Sequence, residues 1–237
     1  MTESQILINL GLLGLCYVYI VGIILISGKI KDRFPTSFSR KFLHIMIGNL
    51  CFIIPFFTIN TFPLSFPFFV AAPFVLLTFL FSPLSPVNLS DRLSGLAEIT
   101  SGGHKFGLVL YAVSYAILAL FFSTRPYIIA AGILPMAYGD AAASLVGQKM
   151  GRRSYDVFGK KSFEGSIAMF AVSFLGLTVS LLFFSYLYPI SILSLLLASL
   201  GVAATATICE AFTPRGFDNL TVPLCSAVAF LLLTGRV

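Results

Sequence analysis

The sequence has little charge and no tryptophan. Of its 237 residues, 10% are charged and 58% are hydrophobic, 25 of them phenylalanine, and the mean hydropathy is +0.99. Soluble domains carry about 25% charged residues, and a water-soluble fold of this size could not cover so much apolar surface. The composition therefore excludes a soluble enzyme and a disordered chain, and it indicates a polytopic membrane protein.

Cysteine is scarce, and the common nucleotide-binding fingerprints are absent. The four cysteines lie singly in apolar segments and lack the spacing of a metal site or a disulfide framework, so we interpret them as packing residues. The GKKS segment at 159–162 lacks the upstream glycine of a P-loop, and there is no GxGxxG motif. Any nucleotide site must therefore be of another kind.

Long apolar runs separated by polar clusters predict transmembrane helices of about 20 residues each. We predict an all-α bundle in which residues 1–237 form one integral-membrane domain. It has about eight spans, over residues 5–27, 40–58, 62–81, 105–122, 126–148, 163–187, 190–210 and 220–235.

The basic residues indicate how these spans are oriented. With eight spans, all fifteen lysines and arginines except Arg125 and Arg236 fall in loops on one side, which the positive-inside rule assigns to the cytoplasm. Both termini are then non-cytoplasmic. The acidic residues other than Glu3, and both histidines, gather at the same face, which favours an enzyme over a transporter. Since the first apolar run lacks the basic flank of a cleavable signal, we expect a prokaryotic plasma membrane.

Asp140 lies well inside the fifth predicted span. A carboxylate at that depth is costly unless it is paired or solvated, so we interpret Asp140 as functional, most simply as a ligand of Mg²⁺. Small residues surround it and let another helix or a ligand approach closely. We expect helix packing at Gly147 and Gly151, and ligand contact at Gly139.

The loop that follows is strongly basic and ends at the start of the sixth predicted span. Lys160, Lys161 and Ser162 precede a helix N-terminus, where free N–H groups favour phosphate. Glu164 complements the helix dipole or binds a metal ion, and we favour the metal. Anchoring to anionic lipid and binding of phosphate account equally well for three further residues, Lys149, Arg152 and Arg153.

A third cluster opens the second predicted span. Arg40 and His44 are four residues apart and share a helix face, with Lys41 beside them. Membrane anchoring would account for Arg40 and Lys41. His44 lies about one turn deeper, needs a partner, and is suited to accept a proton or to bind phosphate.

The last candidates lie in two loops. Glu210 ends the seventh predicted span, and Asp218 with Asn219 opens the eighth. One of these two suits a helix N-cap, whereas two carboxylates beside basic residues suit metal coordination or a general base. In the long loop 82–105, which is a connector or a lid, His104 and Lys105 are placed to reach phosphate.

Four of these motifs together resemble one family. They are RKFLH at 40–44, GDAAASLVGQKMGRR at 139–153, GKKSFEGS at 159–166 and EAFTPRGFDNLTVPL at 210–224. In this order they are similar to the polyprenol kinases, which include dolichol kinase, phytol kinase and the CTP-dependent diacylglycerol kinases, and most similar to phytol kinases. The resemblance implies a multi-pass enzyme that transfers the γ-phosphoryl group of CTP to a long-chain isoprenoid alcohol. Its partners would be membrane lipids, the alcohol and the nucleotide, without nucleic acid.

Phosphoryl transfer requires positioning and neutralisation of charge, and this requirement suggests a role for each residue. The candidate Mg²⁺ ligands are Asp140, Glu164 and Asp218. The first candidate for the base is Glu210, and the second is His44. The candidate substrate- and nucleotide-binding residues are Arg40, Lys41, His104, Lys105, Gly139, Lys149, Arg152, Arg153, Lys160, Lys161, Ser162 and Asn219.

Two alternative functions remain open from the sequence. A CTP-dependent phospholipid cytidylyltransferase would need the same cation and basic residues, but it would release pyrophosphate and form a CDP-lipid. A non-catalytic carrier of lipids or anions agrees with the bundle of spans but not with polar groups clustered at one face. The sequence sets neither the length of the alcohol nor the oligomeric state.

Overall fold

A computed structural model describes residues 2–30, 32–82, 85 and 106–235 of the chain. His104 and Lys105 lie outside the described residues. The chain divides into two compact units, Met1–Pro126 and Tyr127–Val237, here called the first and the second unit.

The first unit contains four described α-helices, α1 (Glu3–Ile30), α2 (Thr36–Gly48), α3 (Phe66–Leu80) and α4 (Gly107–Phe122). Helix α3 packs on α4, and α1 contacts both α2 and α3. Between α2 and α3 the chain forms two short 3₁₀ turns, Asn49–Phe52 and Ile54–Phe56. The prediction of one continuous helix over 40–58 is therefore wrong in its second half. Pro55, which has no N–H to donate, lies within the second of these turns.

Asn9 of α1 holds the segment that follows these turns. Its Nδ2 donates to Thr58 Oγ1 at 2.7 Å, and its Oδ1 accepts from the backbone N–H groups of Thr58 and Ile59, both at 3.1 Å. The side chain is completely buried. One amide thus satisfies backbone donors that the irregular segment leaves without helical partners, as buried N–H groups require.

The second unit begins with a helix that changes its winding. Helix α5 (Pro126–Leu134) continues through a π-helical segment (Pro135–Gly139) into α6 (Asp140–Met150). A two-stranded antiparallel hairpin follows, β1 (Ser154–Asp156) and β2 (Lys160–Ser162). Three helices complete the unit, namely α7 (Phe163–Ser185), α8 (Ile192–Phe212) and α9 (Asp218–Thr234).

The π-helical segment is the element that the rest of the second unit surrounds. Helices α7, α8 and α9 all contact it, and four of its five residues are buried. Pro135 cannot donate to the preceding turn, which loosens the hydrogen-bond ladder at this point. Segments of this kind inside α-helices often mark functional sites, and this one directly precedes Asp140.

Helices α6 and α7 approach each other along a stripe of small residues spaced four apart, Gly139, Ala143, Gly147 and Gly151. A Cβ atom on Gly165 of α7 would lie 3.0 Å from the Ala143 carbonyl oxygen and 3.5 Å from the Gly147 Cα. A Cβ on Gly147 would lie 3.0 Å from Ser162 Oγ. The expected packing role of Gly147 and Gly151 is therefore confirmed.

By length and composition, four helices within the described ranges could cross a membrane. They are Glu3–Ile30, Pro126–Met150, Phe163–Ser185 and Ile192–Phe212. Three shorter apolar helices, α3, α4 and α9, accompany them. The helical class and the presence of apolar helices of membrane-spanning length are thus confirmed, and the hairpin at 154–162 is a small β element that the sequence did not predict.

Substitution of Gly165 by alanine should lower the free energy of unfolding by about 1–3 kcal/mol, because the added methyl group overpacks the contact between α6 and α7. Gly14→Ala is the matched control. Within the described part of the chain, and apart from its chain neighbours and the backbone of α1 itself, no atom lies within 4 Å of the Cβ that this substitution would add, and alanine favours the helix. Thermal unfolding in detergent measures both variants. Equal unfolding temperatures for the two variants would contradict the close-packing interpretation.

Candidate active site

The hairpin joins α6 to α7 and carries much of the basic segment. Tyr155 pairs with Lys161 across the two strands, and Asp156 Oδ1 accepts from the Gly159 N–H at 3.1 Å to close the turn. Gly159 has a φ of 141°, a backbone conformation that disfavours other residues. The turn therefore holds Lys160 and Lys161 at a fixed place on the second strand.

Ser162 and Glu164 connect the hairpin to α7. Ser162 Oγ accepts from the Gly165 N–H at 3.1 Å and caps the helix, so the predicted helix start is confirmed. Both carboxylate oxygens of Glu164 accept from the Arg153 N–H, at 3.3 and 3.4 Å. Glu164, in the first turn of α7, thus holds the start of the hairpin in place. The helix dipole also favours a negative charge at this position.

Lys161 and Glu210, which the sequence assigned to different roles, form an ion pair. Lys161 Nζ lies 2.6 Å from Glu210 Oε1, and it also donates to the backbone carbonyl of Glu210. The two side chains are only 11% and 10% exposed. This pair docks β2 against the last turn of α8, and removing one partner would leave a largely buried charge without compensation.

Arg215 is a candidate that the sequence analysis missed. Its Nη2 donates to the Lys160 carbonyl at 2.9 Å, and a Cβ on Gly159 would lie 3.1 Å from its Nε. The exposed guanidinium therefore lies beside the hairpin turn. The sequence feature that could have identified Arg215 as a candidate is its position in the short connection between Glu210 and Asp218.

Asp218 stabilises the turn between α8 and α9. Its Oδ1 accepts from the N–H groups of Gly216 and Asn219, at 3.1 and 2.9 Å, and from Asn219 Nδ2 at 2.9 Å. The N-cap position is held by Phe217, which makes no side-chain cap hydrogen bond, so the prediction that Asp218 or Asn219 caps this helix is wrong. Asn219 is itself 6% exposed.

The remaining cations of this region are exposed. They lie on the hairpin and its flanks and comprise Lys149, Arg152, Arg153, Lys160 and Arg215. Exposed cations around one small hairpin make a surface suited to a polyanion such as a triphosphate.

Asp140 and Glu210 are the two buried carboxylates among the described residues. Asp140 is 7% exposed and stands where the π-helical segment meets α6. Among the described residues, no group of three or more His, Cys, Asp and Glu side chains could hold a metal ion, so the structure does not bring Asp140, Glu164 and Asp218 together as one cluster. Mg²⁺ is commonly held by one or two carboxylates with water and substrate phosphates, so a single carboxylate such as Asp140 would be sufficient.

Gly139 faces α7. A Cβ atom there would collide with the Ser173 side chain and lie 3.1 Å from the Met169 carbonyl oxygen. The space that a side chain at position 139 would occupy is therefore filled by atoms of α7.

The first unit holds the third cluster. His44 is 1% exposed, and its ring stacks on Tyr111 with centroids 4.5 Å apart. The Tyr111 hydroxyl donates to the His44 carbonyl at 3.0 Å. Lys41 is 8% exposed, whereas a lysine that anchors a helix at the membrane surface keeps its ammonium group in water. Arg40 is half-buried.

Comparison with known proteins identifies relatives along most of the chain. No family model and no solved structure matches it. A phytol kinase of Synechocystis sp. is 37% identical over 91% of this chain and 88% of its own length. Phytol kinase 1, chloroplastic, of Arabidopsis thaliana is 30% identical over 86% of this chain and 69% of its own length. A probable phytol kinase of Triticum aestivum is 31% identical over 84% of this chain and 68% of its own length. The chain therefore belongs to the phytol kinase family, as its four motifs predicted.

Proposed function

We propose that this protein phosphorylates an isoprenoid alcohol of the phytol type, with CTP as the phosphoryl donor and Mg²⁺ as the cofactor. The observation that carries this proposal is the 37% identity to a phytol kinase over 91% of the chain. The exposed cations around the hairpin and the buried carboxylate of Asp140 support it.

In the proposed reaction the alcohol oxygen attacks the γ-phosphorus. A new O–P bond forms while the bond from the γ-phosphorus to the β,γ-bridging oxygen breaks, and that oxygen leaves with CDP. The hydroxyl proton passes to a base, for which Glu210 is the first candidate and His44 the second. The products are the isoprenyl phosphate and CDP.

The two lysines of β2 have different proposed roles because neighbouring strand residues point to opposite faces. Lys161 is turned towards α8 and holds Glu210 by the 2.6 Å ion pair. Lys160 is exposed, next to the exposed Arg215 that bonds to its carbonyl. We assign the phosphates of the nucleotide to Lys160 and the exposed arginines, and a positioning role to Lys161.

Asp140 is the residue that we assign to Mg²⁺. The cation would neutralise charge on the transferring phosphates. Asp140 is 7% exposed, and an ionisable side chain this deep in an apolar helix indicates a functional site, which agrees with this role.

The proposed membrane arrangement has eight spans, non-cytoplasmic termini and a cytoplasmic active site in a prokaryotic plasma membrane. It is supported by the one-sided distribution of lysine and arginine. A lipid alcohol reaches such a site from the bilayer, and a nucleotide reaches it from the water.

The first test follows the phosphoryl group. Purified protein is incubated with γ-labelled CTP or ATP, Mg²⁺ and a panel of isoprenoid alcohols and diacylglycerol. We expect label in an isoprenoid phosphate, with CTP as the better donor. Label in diacylglycerol alone would change the substrate class, and a CDP-lipid formed from α-labelled CTP would indicate a cytidylyltransferase.

Asp140→Asn should reduce phosphoryl transfer by at least about 100-fold while the unfolding temperature stays near that of the wild type, because the isosteric amide removes the charge that binds the cation. Asp156→Asn is the matched control, since Asp156 is exposed and an amide oxygen can still accept from the Gly159 N–H. Full activity of Asp140→Asn would reject the metal role.

The two lysines can be separated by Lys160→Met and Lys161→Met. The first variant should raise the KM for the nucleotide without changing stability. The second should lower the free energy of unfolding by about 3–5 kcal/mol, because it leaves Glu210 charged and largely buried. The double variant Lys161→Met/Glu210→Gln should recover much of that loss. Equal stability of the two single variants would contradict the assignment.

A further inference from the structure

The turn of the hairpin exposes two apolar side chains. Val157 and Phe158 connect β1 to β2, and they are 46% and 55% exposed. The segment 149–162 around them contains five basic residues and one acidic residue. Amphipathic segments that bind in the membrane interface combine exposed apolar side chains with lysine and arginine in this way. The composition of the hairpin therefore suits a lipid surface.

The helices that the hairpin joins place it close to such a surface. The helix over Pro126–Met150 and α7 are both long and apolar enough to cross a membrane, and consecutive spans are connected on one side of it. Each strand has three residues and is about 10 Å long, whereas the headgroup region of a bilayer is about 5–8 Å thick. Even an upright hairpin would therefore end close to the outer edge of the lipid.

Contacts with the end of α8 keep the hairpin from standing upright. Lys161 is paired with Glu210 in the last turn of this helix. The Lys160 carbonyl accepts from Arg215, which follows the last residue of α8 by three positions. Since α8 is also long and apolar enough to cross a membrane, its end marks the level of the membrane surface. The turn directly precedes Lys160 and therefore lies near that level.

Other exposed apolar side chains lie at the ends of the same helices. They are Met150 at the end of α6, Phe163 at the start of α7 and Phe212 at the end of α8. Exposed apolar surface with polar residues at its rim marks a site of interaction with a protein or a membrane. Apolar side chains at the helix ends and at the turn place both parts of the hairpin next to lipid.

Three kinds of partner could cover the turn, and their chemistry separates them. A nucleobase stacks on an aromatic ring, which suits Phe158 but leaves Val157 exposed. The centre of a protein–protein interface is depleted of charged residues, whereas this turn has lysines and arginines on both sides. A bilayer takes up both apolar side chains at once and attracts the surrounding cations to its anionic headgroups.

We propose that Val157 and Phe158 insert into the headgroup region of the bilayer and hold the hairpin turn on the membrane surface. The pair of Lys161 and Glu210 holds β2 from within the protein, and the two apolar side chains hold the turn from the lipid side. This interaction goes beyond the proposed phosphoryl transfer. It requires neither a nucleotide nor Mg²⁺.

The test uses the lack of tryptophan in the chain, since Val157→Trp and Phe158→Trp each give a protein with one indole. Each variant is placed in nanodiscs of phosphatidylcholine and phosphatidylglycerol, with or without brominated acyl chains, and without nucleotide. We expect blue-shifted emission that brominated lipid quenches and that is protected from iodide in the water. Leu175→Trp, exposed in the middle of α7, is the lipid-facing control, and N-acetyltryptophanamide is the reference for water.

Three results would overturn the inference. Quenching by iodide but not by brominated lipid, at either position, would place that side chain in water. Protection from both quenchers would mean that protein covers the turn. Quenching by brominated lipid that CTP abolishes would assign the turn to the nucleotide site.

A measurement on the wild type avoids any effect of the substitutions on folding. A phospholipid that carries a diazirine next to its headgroup should label the segment 157–158 on irradiation, and labelling of the helices without this segment would contradict the inference. Transfer of labelled phosphate is measured separately. Transfer without lipid contact at the turn rejects only the inference, and lipid contact without transfer rejects only the proposed function.

Discussion

The close approach of α6 and α7 is the constraint on which the candidate site depends. Where the two helices cross, the Cβ that Gly165 lacks would lie 3.5 Å from the Gly147 Cα and 3.0 Å from the Ala143 carbonyl oxygen, so neither helix has room for a larger residue. The end of α6 and the start of α7 are therefore close together, and a short connection joins them. This connection contains the hairpin at 154–162. Ser162 ends that hairpin and caps α7 with one hydroxyl group. The small-residue stripe therefore determines where the basic residues of the connection are held.

The hairpin then separates two kinds of cation within two consecutive residues. The strand turns Lys161 towards α8, where Glu210 compensates its charge, and leaves Lys160 exposed beside Arg215. A chain with only 9 acidic residues has few groups that can balance buried charge. Pairing Glu210 with Lys161 costs free energy, because both charges lose contact with water. The pair also fixes β2 next to the exposed cations, where a polyanion would bind.

The membrane class, the family, the start of α7 and the packing role of Gly147 and Gly151 could all be predicted from the sequence. Each depends on local composition or on spacing along one helix. The hairpin could not be predicted, because strands of three residues are too short to show an alternating pattern. Hydropathy also reports burial and not the type of helix, so it predicted neither the 3₁₀ turns after α2 nor the π-helical segment before Asp140. The pairing of Lys161 with Glu210 joins residues 49 positions apart and depends on tertiary structure.

The sequence suggested Asp140, Glu164 and Asp218 as metal ligands and Glu210 as the base, and the surroundings of these four carboxylates differ. Glu164 binds a backbone N–H at the start of the hairpin, Asp218 holds the turn before α9, and Glu210 is paired with a lysine. Asp140 alone of the four stands in the buried junction of the π-helical segment with α6. Glu164, Asp218 and Glu210 thus have positioning roles, and this division leaves the proposed metal role with Asp140. It also explains why the other acids matter to a reaction in which they need not touch the phosphate. They hold in place the lysine strand, the start of the hairpin and the turn before α9.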